Sequence, residues 1–566
     1  MTTRDEAIAR FTGPGGRFEI GETDVGGQRL RVYATAPRNM REVFLAAVHT
    51  FGERDFLVYE DERLTYAGAA QAVARLATLL HERGVTKGDR VCIGMRNYPE
   101  WVIAFWACQC IGAVAVTLNA WWTADELHYA LTDSGSRVAL IDGERWARIR
   151  DMRPDGLVTV LVTRDDGLDL TGAEGWGAAL AHLAPGTPLP EVDIAPDDSA
   201  TMLYTSGTTG RSKGAVGTHR NHVTNLSNTL LSGAVAAEVA GLTVNGEPVA
   251  PPAVPAVLSA SLQTFPFFHI GGLSGLYIGT AMGTKLVLMF KWDADAAIDL
   301  IERERVTGLS GVPTVVRALL ERAAARGVHL ASLGGISSGG APVPPDLIDR
   351  IGSQFQARVA PGNGYGLTET TSAVISNGGA DYFAHPDSVG RPVPVAAVRI
   401  VDDEGRDVAD GGIGEVWVRG PNVVAGYWNR PDATAEAFTD GWFHTGDLGY
   451  RSPEGFYHVV DRKKDVVIRG GENVYCGEVE ASLFTHDAVQ DVAIIGLPHR
   501  ELGEEVAAVV QLREGRVASP ADLQAHVGAR LARFKVPSRI FFIDEPLPRT
   551  ATGKVLKRDL KLRFGA

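Results

Sequence analysis

The sequence predicts an α/β protein, with a large N-terminal domain of doubly wound sheets, a β-rich subdomain and a small mobile α+β C-terminal domain. Amphipathic helical segments alternate with short apolar runs over residues 68–142, which is the rhythm of parallel strands joined by helices. Beyond residue 461, about 100 residues carry their own helix and strand pattern, which is enough for a separate domain.

The first helices and strands follow from apolar periodicity and from end signals. Segment 68–84 is amphipathic and predicts a helix that stops at Gly84, and residues 90–95 then predict a strand. A polar helix over 123–135 leads into a strand over 137–142. Such β–α–β units imply a mostly parallel sheet with helices on both faces.

Residues 101–118 form the one stretch that resembles a membrane span. Its eighteen residues reach only the lower edge of the length that a bilayer requires. Because Pro99 is typical of a helix start and Gly112 of a helix end, we interpret the stretch as a buried helix followed by a strand over 113–118. The sequence therefore predicts no transmembrane span.

The pattern continues through the rest of the chain. Segments 296–306 and 312–327 predict helices, and short β-runs near residue 390 predict the β-rich subdomain. The Ala/Val/Pro-rich segment 233–257 predicts a surface excursion or a lid. The predicted elements of the C-terminal part are helices over 477–486 and 519–533 and strands over 491–499, 505–512 and 539–544.

Composition limits the class of protein and its compartment. The formal net charge of −13 disfavours broad nucleic-acid binding. Four cysteines in 566 residues are too few for a disulfide framework and indicate a reducing compartment. The N-terminal segment lacks the apolar core of a signal peptide. We therefore predict a cytoplasmic protein.

Segment 204–214, YTSGTTGRSKG, has the composition of a polyphosphate-binding loop. Its glycines let backbone N–H groups converge, its hydroxyls donate hydrogen bonds to oxyanions, and Arg211 and Lys213 supply positive charge. The spacing differs from that of the common P-loop. A flexible polar linker is the alternative, but apolar sequence on both sides and the two cations favour the phosphate loop.

Six further segments follow in order, and with the first they resemble the adenylate-forming superfamily of acyl-CoA synthetases, carrier-associated adenylation domains and luciferases. The resemblance extends from about residue 50 to the C-terminus. The segments are PFFHIGG (266–272), SSGGAPVP (337–344), NGYGLTET (363–370), WFHTGDLG (442–449), DRKKDVVIRGGENVY (461–475) and PRTATGK (548–554).

The resemblance implies a role for each residue type. The tyrosine ring of Tyr365 covers adenine, Glu369 holds Mg²⁺ beside Thr368, and Asp447 binds the ribose diol. Taken alone, the segment with Tyr365 and Glu369 is equally typical of an ordinary turn with a surface glutamate. The segment around Asp447, taken alone, is typical of an Asx turn. The implied ATP or AMP contacts are Thr205, Ser206, Gly207, Thr208, Thr209, Gly210, Lys213, Gly340, Ala341, Pro342, Asn363, Gly364, Tyr365, Gly366, Thr368, Asp447, Arg462 and Lys554.

The resemblance also divides the chain into an adenylate-forming domain over 1–463 and a mobile domain over 464–566, with the hinge at Lys464. Many relatives have Asp at that position, although Lys also occurs. The Gly470–Gly471 loop is implied to line the CoA channel. The implied acyl pocket consists of His269, Gly271, Leu273, Gly339 and Gly364.

Lys554, His269 and Thr368 are the implied catalytic residues. When a carboxylate attacks the α-phosphate two anions meet, so a fixed cation between them stabilises the transition state more than the ground state. A solvated basic tail is the alternative for Lys554, because other cations follow it. A basic role of His269 is doubtful, since a carboxylate is already ionised at pH 7.

The sequence therefore predicts an ATP- and Mg²⁺-dependent carboxylic acid:CoA ligase that forms an acyl-AMP intermediate. Glycines after His269 leave room, which favours a medium- or long-chain fatty acid or another hydrophobic acid. Transfer to an amine or a carrier protein, oxidative luciferase chemistry, and a non-catalytic adenylate- or acyl-binding protein are the alternatives. The sequence leaves open whether the protein contacts a membrane peripherally through a lipid substrate. It also leaves open whether the protein forms a homodimer.

Overall fold

The computed structural model describes residues 2–205, 211–241, 243–244, 247–248, 259–355, 358–550 and 553–565. The first part of the chain alternates helices and strands. Its helices are α1 (Arg4–Thr12), α2 (Met40–Phe51), α3 (Tyr66–Glu82), α4 (Pro99–Ile111), α5 (Ala124–Ser134), α6 (Gly143–Ile149) and α7 (Trp176–Ala179). Its strands are β1 (Ile20–Val25), β2 (Gln28–Tyr33), β3 (Asp55–Tyr59), β4 (Glu62–Thr65), β5 (Arg90–Gly94), β6 (Val114–Thr117), β7 (Val138–Asp142), β8 (Thr159–Thr163), β9 (Glu174–Gly175) and β10 (Ser199–Thr205).

The middle part repeats the alternation. Its helices are α8 (His219–Val239), α9 (Ile270–Ala281), α10 (Ala294–Glu304), α11 (Pro313–Ala325), α12 (Pro345–Gln354) and α13 (Gly379–Ala384). Its strands are β11 (Lys213–Thr218), β12 (Thr243–Val244), β13 (Glu247–Pro248), β14 (Ala260–Gln263), β15 (Lys285–Leu288), β16 (Gly308–Gly311), β17 (Gly335–Gly339), β18 (Ala360–Leu367), β19 (Ser372–Gly378) and β20 (Arg391–Pro392).

The last part is richer in strands. Its helices are α14 (Pro431–Ala437), α15 (Cys476–Phe484), α16 (Pro520–Gly528) and α17 (Lys557–Phe564). Its strands are β21 (Ala397–Val401), β22 (Gly414–Arg419), β23 (Phe438–Thr439), β24 (Trp442–Arg451), β25 (Tyr457–Arg462), β26 (Val467–Arg469), β27 (Glu472–Val474), β28 (Val489–His499), β29 (Gly503–Leu512) and β30 (Arg539–Ile543).

Two large, mostly parallel sheets organise the N-terminal part. One has the order β11-β10-β6-β5-β7-β8-β9, and the other has the order β20-β19-β18-β17-β16-β14-β15-β3-β4. Residues of β5, β3 and β15 belong to one apolar core together with helices α2, α3, α4 and α9. The two sheets therefore share a layer of helices, and the predicted doubly wound α/β class is confirmed.

Helix α4 explains the membrane-like stretch of the sequence. Its residues from Trp101 to Ile111 are buried on every side, because the helix packs in the core that both sheets share. The amide nitrogen of Gln109 donates to the carbonyl of Ala200 at 3.0 Å. Among the described residues, no helix combines the length and the apolar composition needed to cross a bilayer.

Two smaller sheets complete the chain. Strands β21, β22, β24 and β23 form one, with β25 paired to β24, and this is the predicted β-rich subdomain. Strands β27, β26, β29 and β28 form the other, with β30 paired to β29. The predicted boundary between residues 463 and 464 falls in the turn that joins β25 to β26, and it stays a prediction.

Two elements differ from their predicted extent. The helix expected over 519–533 ends at Gly528, because the chain then turns so that Leu531 and Phe534 pack on the C-terminal core. Residues 233–239 of the predicted excursion continue α8, and 243–244 and 247–248 form short strands. Residues 242, 245–246 and 249–257 of that segment lie outside the described residues.

A buried carboxylate on helix α10 forms ion pairs with two strands of the nine-stranded sheet. Glu304 ends α10 with a side chain only 2% exposed, and it pairs with Arg63 on β4 at 2.6 Å and with Lys285 on β15 at 2.9 Å. Burial by itself would raise the pKa of Glu304, but hydrogen bonds from these two cations outweigh it and lower the pKa to about 2. The folded state therefore favours the ionised form.

We expect Glu304→Gln to lower the free energy of unfolding by about 3 kcal/mol at pH 7, because a neutral amide replaces a buried carboxylate that pairs with two cations. Since the pKa is lowered on folding, this contribution is complete above the ordinary value of 4.5 and is lost as pH falls toward 2. Urea unfolding from pH 7 down to 3 measures it. Glu302→Gln, at a neighbouring exposed position, is the control, and equal midpoints for both variants would contradict the prediction.

Candidate active site

A carboxylate on β24 is held between a tyrosine and an arginine. Asp447 is only 4% exposed; the hydroxyl of Tyr365 on β18 donates to its Oδ2 at 2.7 Å, and Arg462 approaches its Oδ1 at 3.0 Å. Asp447 and Arg462 are paired across β24 and β25. Burial, and then the negative charge of Asp447, raise the pKa of Tyr365 well above its ordinary value. The tyrosine hydroxyl is therefore a permanent donor to this carboxylate.

A second buried carboxylate lies four residues after Tyr365. Glu369 is in the short turn Thr368–Thr370 between β18 and β19, and its Oε1 accepts from the hydroxyl of Tyr427 at 2.7 Å. The ammonium of Lys213 lies 5.0 Å from the centre of the Tyr427 ring. Tyr427 thus brings the end of the predicted phosphate loop next to the predicted metal-binding glutamate.

The two ends of the predicted phosphate loop are paired with each other. Thr205 and Lys213 are opposite each other where β10 and β11 meet, and the Thr205 hydroxyl donates to the Lys213 carbonyl at 3.4 Å. The predicted contacts Ser206, Gly207, Thr208, Thr209 and Gly210 lie outside the described residues. Of the two ends, Thr205 is the last residue of β10, and Lys213 lies 5.0 Å from the ring of Tyr427, the residue that contacts Glu369.

Several predicted contacts meet at the neighbouring strand ends. Asn363 and Gly364 on β18 pair with Ser338 and Gly339 on β17. Gly340, Ala341 and Pro342 follow directly after β17, and Gly340 has a left-handed φ of +76°. Thr368 and Gly366 are half-buried on the way to Glu369. The carboxyl ends of β17 and β18 therefore form one wall of the cleft that contains Asp447 and Glu369.

A tight hairpin delivers Lys554 to this cleft from the C-terminal part. The Thr550 N–H donates to the Lys554 carbonyl at 2.8 Å, and Arg549 donates to the Gly553 carbonyl at 2.6 Å. Arg549 is itself anchored by Asp491 on β28 at 2.6 Å. A side chain at Gly553, where φ is +81°, would come within 2.9 Å of Val312, so the hairpin packs directly against the end of β16.

The charges of the cleft act on Lys554. The side chain retains solvent access but is surrounded by the two parts of the chain. Burial and the nearby charge of Arg462 lower its pKa, whereas the carboxylates of Asp447 and Glu369 act in the opposite direction. The structure therefore brings the predicted catalytic lysine into range of both predicted nucleotide-site carboxylates.

His269 lies where helix α9 begins. Its Nδ1 accepts the N–H of Gly271 at 3.1 Å, and its ring is stacked on Phe265 at 6.2 Å. Burial, with a smaller contribution from Lys554, lowers the pKa of His269 to about 3. The neutral ring is a weak base, so the geometry suits a wall of the site rather than proton transfer.

The other predicted acyl-pocket residues divide into two groups. Gly271 lies beside His269 and Phe265, and Gly339 lies beside Gly364, so these glycines leave open space near the strand ends. Leu273 is fully buried in the core shared by the two large sheets. Because its side chain packs there, we do not keep it in the proposed acid site.

The predicted hinge and CoA-channel residues are exposed. Lys464 lies between β25 and β26, where burial of its amine and the charge of Arg462 lower its pKa, whereas Asp465 and Asp447 act in the opposite direction. Gly470 and Gly471 form an exposed turn between β26 and β27, both with positive φ. In this arrangement the Lys554 hairpin, and not the Gly470–Gly471 turn, faces the cleft.

A cavity of about 240 Å³ opens at the carboxyl ends of strands from both large sheets, under the Lys554 hairpin. Arg96, Lys291 and Arg549 contribute positive charge to its walls. The guanidinium of Arg96 lies 4.1 Å from the centre of the Trp121 ring, which also lines the cavity. The cavity is therefore suited to a ligand that carries negative charge and a flat group.

Sequence reasoning missed three residues that shape the site. Tyr427 stands in the segment VVAGYWN, Arg549 is in the motif that ends with Lys554, and Arg96 is the second residue after β5. Each is a common residue type without a spacing signal. Their importance follows from partners between 25 and 58 residues away, which periodicity cannot reveal.

Comparisons with known proteins agree with this geometry. Residues 44–428 match the AMP-binding enzyme family, and residues 478–554 match the AMP-binding enzyme C-terminal domain. The chain therefore belongs to the family of AMP-binding enzymes, and the resemblance given by the motifs is confirmed.

Similar proteins act on different acids. The chain is 36% identical over 503 residues to a feruloyl-CoA synthase of Amycolatopsis sp, covering 89% of this chain and 94% of the relative. It is 32% identical to a long-chain-fatty-acid–CoA ligase of Mycobacterium tuberculosis, with 89% and 94% covered. An o-succinylbenzoate CoA synthetase from Bacillus subtilis, solved with its acyl-adenylate intermediate, is 30% identical and superimposes with a TM-score of 0.76 over 93% of this chain and 98% of the other.

The residues fit a magnesium ion that is bound together with phosphate oxygens. Within the described ranges, no group of three or more His, Cys, Asp or Glu side chains could hold a metal by itself. Glu369 offers one buried carboxylate whose Oε2 has no hydrogen-bond partner among the described residues. A single carboxylate plus substrate phosphates is the usual manner of Mg²⁺ binding in proteins.

We expect Tyr427→Phe to raise the Mg²⁺ concentration for half-maximal pyrophosphate release by about tenfold, because Glu369 loses the hydrogen bond that orients it. A Mg²⁺ titration at saturating ATP measures this shift. Tyr450→Phe, a tyrosine on β24 stacked on His458, is the control. An unchanged Mg²⁺ dependence in Tyr427→Phe would show that this hydrogen bond does not orient Glu369 for the metal.

Proposed function

We propose that this protein is an ATP-dependent carboxylic acid:CoA ligase that first forms an acyl adenylate and then an acyl-CoA thioester. The observation that carries the proposal is the convergence of Lys554 with Asp447 and Glu369 in one cleft. Arg462 already pairs with Asp447, and the ammonium of Lys554 adds a further positive charge that matches the negative charge of the α-phosphate. The similarity to curated CoA ligases supports the thiol acceptor.

In the first half-reaction, one carboxylate oxygen of the acid attacks the α-phosphorus of ATP, and pyrophosphate leaves with the bond electrons. Asp447 would accept hydrogen bonds from the ribose hydroxyls, and Glu369 together with the phosphates would hold Mg²⁺, which would supply positive charge at the leaving pyrophosphate. Lys554 stabilises the negative charge that develops between the attacking oxygen and the α-phosphate. No proton transfer is required, which agrees with a weakly basic His269.

In the second half-reaction, the CoA thiolate attacks the acyl carbon and AMP leaves. We infer that the C-terminal domain turns at Lys464, so that Lys554 withdraws and the Gly470–Gly471 turn approaches the cleft. The wall of the cavity that Arg96, Trp121 and Lys291 form is a route for CoA, because the two cations suit its phosphates and Trp121 suits a flat base. Gln263 also lines this cavity.

For the acid, we infer a hydrophobic acyl group, either a medium- or long-chain fatty acid or a ring acid. The similar proteins include enzymes named for ferulate, indoleacetate and long-chain fatty acids, so the family accommodates each shape. We also infer a cytoplasmic location, because all four cysteines are buried free thiols. Transfer to an amine or a carrier protein is the competing outcome of the same first step.

A panel of carboxylic acids, assayed for AMP release with and without CoA, tests the proposal directly. We expect AMP release that requires ATP, one class of acid, and CoA. Adenylation with fast turnover by an amine but none by CoA would replace the ligase proposal by an amide-forming one. Absence of AMP and pyrophosphate with every acid would overturn it.

We expect Lys554→Ala to lower the rate of acyl-adenylate formation by a factor of about 10³, because it removes the cation at the α-phosphate. The same variant should convert presynthesised acyl adenylate and CoA to thioester at nearly the wild-type rate. Stopped-flow assays of the two half-reactions measure both effects. Arg558→Ala, an exposed cation four residues later, is the control. Equal losses in both half-reactions would contradict the assigned role.

We expect Arg96→Gln to raise the KM for CoA by about tenfold, because a phosphate loses a charged hydrogen-bond partner. Pyrophosphate exchange with ATP and acid should stay unchanged, since this half-reaction does not involve CoA. Arg137→Gln, at an exposed position, controls for the loss of one positive charge. A changed exchange rate with an unaltered KM for CoA would place Arg96 elsewhere in the mechanism.

A further inference from the structure

A row of polar side chains crosses the middle of the nine-stranded sheet. Gln263 on β14 is in register with Ser310 on β16, and Ser310 is in register with Ser337 on β17. Residues in register on neighbouring parallel strands project from the same face of a sheet. Three adjacent interior strands therefore present three polar side chains side by side.

This row faces the acid side of the sheet and not its core. The preceding residues Leu262, Leu309 and Ile336 pack in the apolar core formed with α10 and α11 on the opposite face. On the polar face lies α9, where a side chain at Gly275 would come within 3.3 Å of Gln263 Oε1. Helix α9 is also the helix that begins at His269.

Two side chains of the row are accessible, and three of its polar groups have no hydrogen-bond partner among the described residues. Ser310 and Ser337 are exposed although their strands are in the interior of the sheet, so a groove must lie above them. Gln263 is only 6% exposed, and its Nε2 donates to Ser261 Oγ at 3.0 Å. Its Oε1, like the Ser310 and Ser337 hydroxyls, has no hydrogen-bond partner elsewhere in the described part of the chain.

The row lies at a defined depth below the cleft. Ser337 precedes Gly339 by two residues and Gln263 precedes Phe265 by two, which is about 7 Å along a strand. Phe265 is stacked on His269, and a side chain at Gly340, the residue after Gly339, would come within 3.7 Å of Phe265 and of Val312, the residue next to the Lys554 hairpin. A substituent about 7 Å from the reacting carboxylate would therefore reach the row.

We propose that the acid substrate carries a hydroxyl or amide substituent about 7 Å from its carboxylate, and that Gln263, Ser310 and Ser337 recognise this substituent. The inference rests on the proposed ligase function and narrows its substrate class. A plain alkyl chain would cover the row and leave a buried amide oxygen and two hydroxyls without partners, which costs affinity. A site built to hydrogen-bond a substrate hydroxyl discriminates strongly against the analogue that lacks it.

Two pairs of acids differing only by that group test the inference: phenylacetate with 4-hydroxyphenylacetate, and hexanoate with 6-hydroxyhexanoate. In at least one pair we expect the wild-type protein to show a kcat/KM at least about tenfold higher for the hydroxylated acid, measured as CoA-dependent AMP release. Gln263→Leu should abolish this preference while retaining activity on the unsubstituted acid. The double variant S310A/S337A should reduce the preference without altering the Gln263 side chain.

The controls separate this inference from the function on which it rests. Gln524→Leu loses an amide contact in the C-terminal domain, to the Pro537 carbonyl, and should leave the preference unchanged. CoA-dependent AMP release without any preference for the hydroxylated acids would overturn the inference and leave the ligase function standing. Equal loss on both members of each pair in Gln263→Leu and S310A/S337A would assign the row a structural role. No AMP with any acid would overturn both proposals.

Discussion

The packing of the Lys554 hairpin on the end of β16 is the contact on which the proposed chemistry depends. Arg549 and Asp491 hold the hairpin rigid, and the absence of a side chain at Gly553 lets it approach Val312. Because of this approach, an amine from the C-terminal part enters a cleft in which Arg462 already pairs with Asp447. Separation of the two parts would leave Asp447 paired with Arg462 but would remove Lys554 from the α-phosphate.

The same contact explains why one chain can serve two successive reactions. A hairpin that closes the cleft also covers the cavity lined by Arg96 and Lys291, so a thiol cannot approach while Lys554 is in place. Exposed residues at the proposed hinge allow the chain to turn there at little cost in buried contacts. The first reaction is thereby protected from the acceptor of the second.

The acid site combines two kinds of surface. Glycines on α9 and at the ends of β17 and β18 leave room, and their presence in the sequence led to the expectation of a hydrophobic acid. The sheet beneath them carries Gln263, Ser310 and Ser337 instead of aliphatic side chains. The space left by the glycines and the polar side chains of the sheet together favour a substituted acid over an unbranched alkyl chain. The reaction itself is the same for both acids.

Much of the fold could be predicted, because helix and strand periodicity reports local burial. The alternation from α3 to β7 was recognisable residue by residue, and the completely apolar α4 was correctly interpreted as a core helix. The end of α16 was harder to predict, because the packing of Leu531 and Phe534 on the C-terminal core decides that the chain turns after Gly528. Leu273 was placed in the acid site by its neighbours in sequence, whereas its side chain faces the core.

For this protein the sequence alone determined the family and the order of helices and strands along the chain, and it predicted the nucleotide-site residues, because short motifs are read without reference to distant contacts. Only the tertiary structure decided what surrounds them. Tyr427 supports Glu369 from 58 positions away, Arg549 reaches Asp491 across 58, and the row from Gln263 to Ser337 exists only when three strands pair in register. Strand register and domain docking are settled by the burial of the whole chain, and no local segment of the sequence contains that information.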